Sequence, residues 1–190
     1  MNLELIAAFK NRQRAHAIAK QVHGIIYCDD REDIDHLPFG ALVSAQTDNL
    51  TAFADAADVG AYLVCRREIK PRQSITDSGS LPGVIGLFTL VANPELGHDA
   101  SDQHWRDMHA PLAVKVHKAM SFYSQLSIMH TFHGPRWDGF ALCGFDSMTD
   151  LRERFFDSAE GEKRIHEDVA VFSDSEKSPR RIIATEVRFG

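Results

Sequence analysis

The feature that most constrains this chain is the order in which its hydrophobic period changes along the second half. Val84 to Val91 is a short, almost wholly apolar run between Gly83 and Asn93-Pro94, the pattern of a strand buried on both faces. From Ser101 to Met120 the period becomes helical, with Ser101 or Asp102 as N-cap. Phe122 to His133 alternates like a strand, placing Phe122, Leu126, Ile128 and Phe132 on one face. The loop Gly134-Pro135-Arg136-Trp137-Asp138-Gly139 reverses the chain, and Phe140 to Phe145 returns as a strand. Helical stretches follow at Met148 to Phe156 and Gly161 to Phe172, and Ile182 to Phe189 closes as a last strand. The succession is β-α-β-β-α-β.

That order specifies a ferredoxin-like α+β unit, with both helices on one face of an antiparallel sheet. The other face is apolar and needs a second sheet against it. The first half offers one, repeating the order less clearly. Gln13 to Val22 and Leu50 to Ala57 read as helices. Gly24 to Cys28, Phe39 to Ala45 and Val59 to Ile69 read as strands, and Leu3 to Phe9 fits either. Between the halves, Lys70 to Gly83 is polar, with two prolines and two glycines and no apolar period. The expected organisation is a degenerate ferredoxin-like half at 1–70, a linker at 71–83 and a complete domain at 84–190. The two sheets would stack into a dimeric α+β barrel within one polypeptide, an intramolecular pseudo-dimer, with a homodimer as the alternative assembly.

Charge and composition narrow the partners. The net charge is −6, and Lys and Arg are scattered through both halves, so there is no basic stripe for nucleic acid. No apolar run approaches the roughly 20 residues that span a bilayer, and Met1 to Ile6 lacks the basic start of a secretion signal. Cys28, Cys65 and Cys143 are odd in number and far apart, which suits reduced thiols. A cytoplasmic protein with a small-molecule partner is expected, with neither nucleic acid nor membrane.

The helix after Ser101 carries the most informative residues. At about 100° per residue, Trp105, Met108, His109, Leu112, Val116 and Met120 share one stripe. His109 thus sits on the buried face, where a titratable ring requires a hydrogen-bond partner. Pro111 removes a helical N–H two residues later, so a bend is expected beside His109. On these grounds His109 is either a core histidine bonded to a carbonyl or an acid–base group.

The run His104-Trp105-Arg106-Asp107-Met108-His109-Ala110-Pro111-Leu112 resembles the helix motif of the EthD family, in which Trp precedes His by four residues and small-Pro-Leu follows. Tyr123-Ser124-Gln125, Trp137-Asp138-Gly139, Phe145-Asp146-Ser147 and Glu167-Asp168 before Phe172-Ser173-Asp174 continue the resemblance, from about Gly83 to Phe189. Ser101 departs from it, since the family more often has an aromatic there. The resemblance implies a dimeric α+β barrel, shared with muconolactone isomerases, small monooxygenases and haem-binding relatives. It also implies acid–base chemistry by histidine or carboxylate, without a cofactor.

The remaining candidates follow from position. His133 shares a strand face with Tyr123, Gln125, Ser127 and Met129, whereas His130 lies on the apolar face. His133 is therefore the expected second acid–base group, or else a solvated histidine beside a turn. Asp138 reads as a turn residue. Asp168 is either a solvated or ion-paired helix carboxylate or one that orients a histidine across the pocket, and His104 lies to the side of His109 on its helix. Glu160, Glu162, Glu167 and Asp168 lack any metal-ligand spacing, so no metal is expected, and Trp105-Arg106 with His109 and His117 is no haem attachment signal. The resulting expectation is a cofactor-independent dehydratase or isomerase acting on a small hydrophobic, cyclic or aromatic-derived oxygenated compound. His109, His133 and Tyr123 would be catalytic, and Trp105, Met108, Leu112, Met129, Trp137 and Phe145 would bind substrate. The alternatives are an oxidoreductase, cofactor-free or haem-dependent, and a binding protein without turnover.

Overall fold

In the computed structural model of the chain, residues 2–33, 36–46 and 50–190 are described. Eight strands close an entirely antiparallel barrel: β1 (Asn2–Phe9), β2 (Ile25–Cys28), β3 (Ala41–Ala45), β4 (Gly60–Lys70), β5 (Gly79–Leu90), β6 (Met120–His133), β7 (Gly139–Phe145) and β8 (Ile182–Arg188). Around the barrel the order is β1-β3-β2-β8-β5-β7-β6-β4. The first four strands run β4-β1-β3-β2 and the last four β8-β5-β7-β6, the same pattern in each half. The halves join where β2 pairs with β8 and β4 with β6. The chain is an α+β barrel, the class expected from its sequence, and the barrel closes within one polypeptide. The ambiguous opening segment is strand β1. The polar stretch after Lys70 ends in strand too, because Gly79 to Leu81 already pair with Arg188 to Glu186.

Period-two alternation sorts residues between the inside of the barrel and the helices outside it. On β7, Phe140 and Leu142 point in; on β6, Phe122, Leu126 and Ile128 do, with Tyr62 and Val64 from β4. One end of the interior holds an aromatic cluster. Trp137 stacks on Tyr62 with centroids 5.7 Å apart and tilts against Phe39 at 5.6 Å. The other end is polar: Glu4 receives Arg66 at 2.7 Å and the Ser44 hydroxyl at 2.8 Å, while Glu186 receives Arg72 at 2.7 Å and Arg188 at 2.8 Å. The same alternation that turns apolar side chains inward also carries these charges in, and there they neutralise one another.

Outside, α1 (Arg12–Gln21) and α2 (Leu50–Ala56) cover the first half through small side chains such as Ala15, Ala19 and Ala54. Over the second half lie α3 (Gly97–His104), a wide π turn (Trp105–His109), α4 (Ala110–Val116), α5 (Met148–Glu153) and α6 (Ala159–Phe172). Helix α3 begins four residues before Ser101, so neither Ser101 nor Asp102 caps it. Ser101 is buried within the helix, and Asp102 pairs with Arg67 of β4 at 2.6 Å.

The π turn has a cause in the sequence. Pro111 has no N–H to give to the carbonyl four residues back, and the Ala110 N–H reaches past the usual acceptor to the Trp105 carbonyl. From β6, the buried Gln125 amide donates to that same carbonyl at 2.9 Å, pinning the widened turn to the sheet. The extra residue rotates the helix face. Trp105 and His109 both stay buried, but Met108 swings out to 61% exposure, away from the stripe that regular helical geometry assigns it.

Candidate functional site

The face of β5, β6 and β7 that points away from the barrel interior forms the floor of a cavity of about 390 Å³, roofed by the π turn, α4 and α6. Its floor includes Phe88, Tyr123, Ala141 and Cys143, and its roof His109, Ala113, His117, Ile165, Val169 and Phe172. All lining residues fall between Phe88 and Arg181, so the first half contributes none. That half acts indirectly, since Arg67 of β4 lies over the Trp105 ring at 5.3 Å.

His109 and Asp168 are the polar centre of the roof. Asp168 Oδ2 lies 2.7 Å from His109 Nδ1, and Oδ1 of the same carboxylate lies 2.8 Å from His104 Nε2. Burial raises the Asp168 pKa, but the hydrogen bonds from His109 and His104 outweigh it and hold the group below its ordinary value. A carboxylate only accepts, so His109 carries a proton on Nδ1, and the neutral tautomer that fits this contact has its lone pair on Nε2, the opposite edge of the ring. Phe172, one turn after Asp168 on α6, packs on both imidazoles, with centroids 5.1 Å from His109 and 5.4 Å from His104.

Tyr123 is the second polar group. Its hydroxyl oxygen accepts from Trp105 Nε1 at 3.1 Å and from Gln125 Nε2 at 3.0 Å. With both lone-pair sites occupied, its own proton remains available to the cavity that it lines. Burial raises its pKa, keeping the phenol protonated. Burial likewise pushes the Cys143 thiol up to about 12, so that sulfur is no nucleophile at neutral pH.

Sequence expectation and structure agree on the helix beside the cavity and differ on the following strand. His109, Trp105 and Tyr123 line the cavity, with Asp168 and His104 behind His109. His133 does not. It shares the Tyr123 face but lies ten residues further along β6, about 33 Å at strand spacing, and it meets the Ala54 carbonyl of α2 at 2.9 Å. Met129, also beyond the helical layer, is 53% exposed. Trp137 belongs to the aromatic cluster inside the barrel, on the far side of the sheet. Leu112 packs beside the cavity without lining it, and Phe145 is buried behind Phe155, 5.6 Å away. Asp138 does more than shape a turn, since it takes the Ala92 N–H at 2.7 Å and pairs with His98 at 2.8 Å.

Several groups at the cavity are not among the residues expected from sequence, His117 and Arg181 among them. His117 lines the cavity with Nδ1 donating to the Phe155 carbonyl at 2.6 Å, and burial lowers its pKa, leaving it neutral with a free Nε2. Its position two turns beyond His109 was the available signal. Arg181, from the segment before β8, reaches the cavity through loop geometry that no period announces.

Residues 93–176 match the family described as the EthD domain. That segment, less than half of the chain, is similar to the EthD domain. The matched EthD segment contains His104, Trp105, His109, Tyr123, Asp168 and Phe172, the whole histidine–carboxylate arrangement and its aromatic wall. Among solved structures, the chain is similar to that of an anthrone oxidase-like protein. The TM-score is 0.58 at 10% identity, and the match covers 98% of this chain and 90% of the other, a likeness of fold. No curated protein matches the sequence. No helix among the described residues is long and apolar enough to cross a membrane, and these residues hold no cluster of three or more metal-ligating side chains.

Proposed function

We propose that the EthD-like segment makes this chain a cofactor-independent acid–base enzyme, a dehydratase or isomerase, acting on a small cyclic or aromatic-derived oxygenated compound. The observation that carries the reading is the His109–Asp168 pair set against a largely apolar cavity. In this reading Nε2 of neutral His109 removes a proton from the carbon beside a ketone. Asp168 stabilises the imidazolium that results, and the Tyr123 hydroxyl donates to the oxygen of the developing enolate. The imidazolium then returns the proton, either to a leaving hydroxyl, which departs as water, or to another carbon of the conjugated system, which completes an isomerisation. His117, a neutral acceptor, orients a substrate hydroxyl. We read the framework as two ferredoxin-like units forming a pseudo-dimer in one chain, a reading supported by the repeated strand order.

A second reading, an oxidase, is favoured by the shared fold with the anthrone oxidase-like protein. It begins with the same proton removal, after which the enolate passes electrons to dioxygen. Both readings predict that the protein catalyses exchange of the acidic protons of cyclic ketones such as 1-tetralone in heavy water, followed by NMR. His109→Asn should lower that exchange by about 10² to 10⁴. Exchange no faster than buffer, or unchanged in the variant, overturns the acid–base assignment. Oxygen uptake accompanying exchange selects the oxidase.

A further inference from the structure

Arg181 differs from the other partly buried arginines of this protein. Arg66, Arg67, Arg72 and Arg188 each face a carboxylate at 2.6 to 2.8 Å, from Glu4, Asp102 or Glu186, and Arg12 donates to the Asp29 and Arg31 carbonyls at 2.8 Å. Arg181 has no carboxylate partner among the described residues. Its guanidinium instead lies 5.5 Å from the centre of the Phe88 ring and 5.6 Å from that of Phe155, both cavity walls. Of the residues lining the cavity it is the one Lys or Arg, and none is Asp or Glu. Burial pulls its pKa below the ordinary value; Cys143 opposes this, and Arg31 and Arg180 add smaller repulsions in the same direction as burial. A guanidinium partly withdrawn from water beside other cations is unfavourable until an anion reaches it.

We infer that Arg181 is a specificity-determining residue that receives the carboxylate of the substrate, so that the cavity takes a cyclic or aromatic monocarboxylic acid. The guanidinium is a planar fork suited to two parallel hydrogen bonds with a carboxylate, and the Phe88 and Phe155 rings restrict where that fork lies. One unpaired cation matches one negative charge, and the apolar remainder of the walls matches a ring system. Cys143 links the two ends of the cavity. It is close enough to Arg181 to sense its charge, and it pairs across β7 and β6 with Tyr123. A ring of one or two fused cycles would thus place its acid at Arg181 while its oxygenated carbon faces Tyr123 and His109.

This inference deepens the acid–base reading and rests on it for the reaction, but it is tested by binding alone. Titration calorimetry of the full-length protein compares 1-naphthoate with 1-naphthamide, which share the ring and differ in charge. The wild-type protein should bind the acid at least tenfold more tightly than the amide. Arg181→Gln and Arg181→Met should each reduce that preference to within about twofold while still binding the amide, and Arg181→Lys should recover part of it. Failure of the wild-type protein to bind naphthoate, equal binding of the two probes, or a preference that survives in both Arg181→Gln and Arg181→Met overturns the assignment. His109→Asn should keep the preference. Loss of ketone exchange with an intact preference, or the reverse, therefore shows which of the two readings has failed.

Discussion

Asp168 approaches His109 at 2.7 Å from α6, across the helix pair, so the imidazole that faces the cavity is held in one tautomer by an acid 59 residues away. The same carboxylate holds His104 through its other oxygen at 2.8 Å. In the proposed acid–base reading Asp168 is a positioning residue, and its removal separates orientation from mere burial.

Asp168→Asn replaces an acceptor by a group that can donate to His109 Nδ1. The imidazole would then place its proton on Nε2 and lose the lone pair that the cavity presents. Exchange of ketone protons should fall by about 10² to 10⁴ with the fold retained. His104→Gln, which leaves the His109 contact in place, should fall far less. Rates from NMR exchange together with circular dichroism check both.

The depressed pKa of Asp168 has a consequence for stability, with a defined sign. A carboxylate whose folded pKa lies below its unfolded value, about 3.9, contributes stability above that value and loses the contribution as pH falls through the folded pKa. The melting temperature of the wild-type protein should therefore drop more steeply than that of Asp168→Asn as pH is lowered from about 5. Parallel curves for the two proteins would argue against the coupling.

Trp137 packs among Phe39, Tyr62 and Phe140 inside the barrel, on the opposite side of the sheet from the cavity. Trp137→Ala should cost about 3 to 5 kcal/mol in denaturant unfolding. Ketone exchange by the fraction that remains folded should be unchanged. A selective loss of exchange at full stability would return Trp137 to the substrate site.

Glu186 is buried and receives both Arg72 and Arg188. Glu186→Gln leaves two arginines without their charge partner at the polar end of the barrel, and should destabilise by about 3 to 5 kcal/mol. Pairing it with Arg72→Met should recover part of the loss. Urea midpoints of the single and double variants measure the coupling.

Elements with a clean period were legible without a structure. β7 and the middle of β6 keep a two-residue period, and α6 carries Ile165, Val169 and Phe172 at helical spacing, so these elements follow from the residues alone, whereas the register shifts along β6 do not. The helix of Trp105 was legible only in part. Pro111 announced a disturbance next to His109, but not that the turn would widen to a π turn and turn Met108 outward. Along β6, alternation told correctly that Tyr123 and His133 share a face. It said nothing of where the covering helices end, and that boundary separates a cavity residue from one that meets the first half of the barrel.

The sequence by itself determined the α+β class, the order of the elements and the helix that bears His109, because period and chain punctuation are local properties of neighbouring residues. Only the tertiary structure decided which groups meet. Asp168 joins His109, Arg181 enters the cavity with no counter-ion among the described residues, and Trp137 turns into the barrel. Each of these depends on distances between segments far apart in the chain, set by how sheet and helices pack and not by the spacing of residues along any one of them.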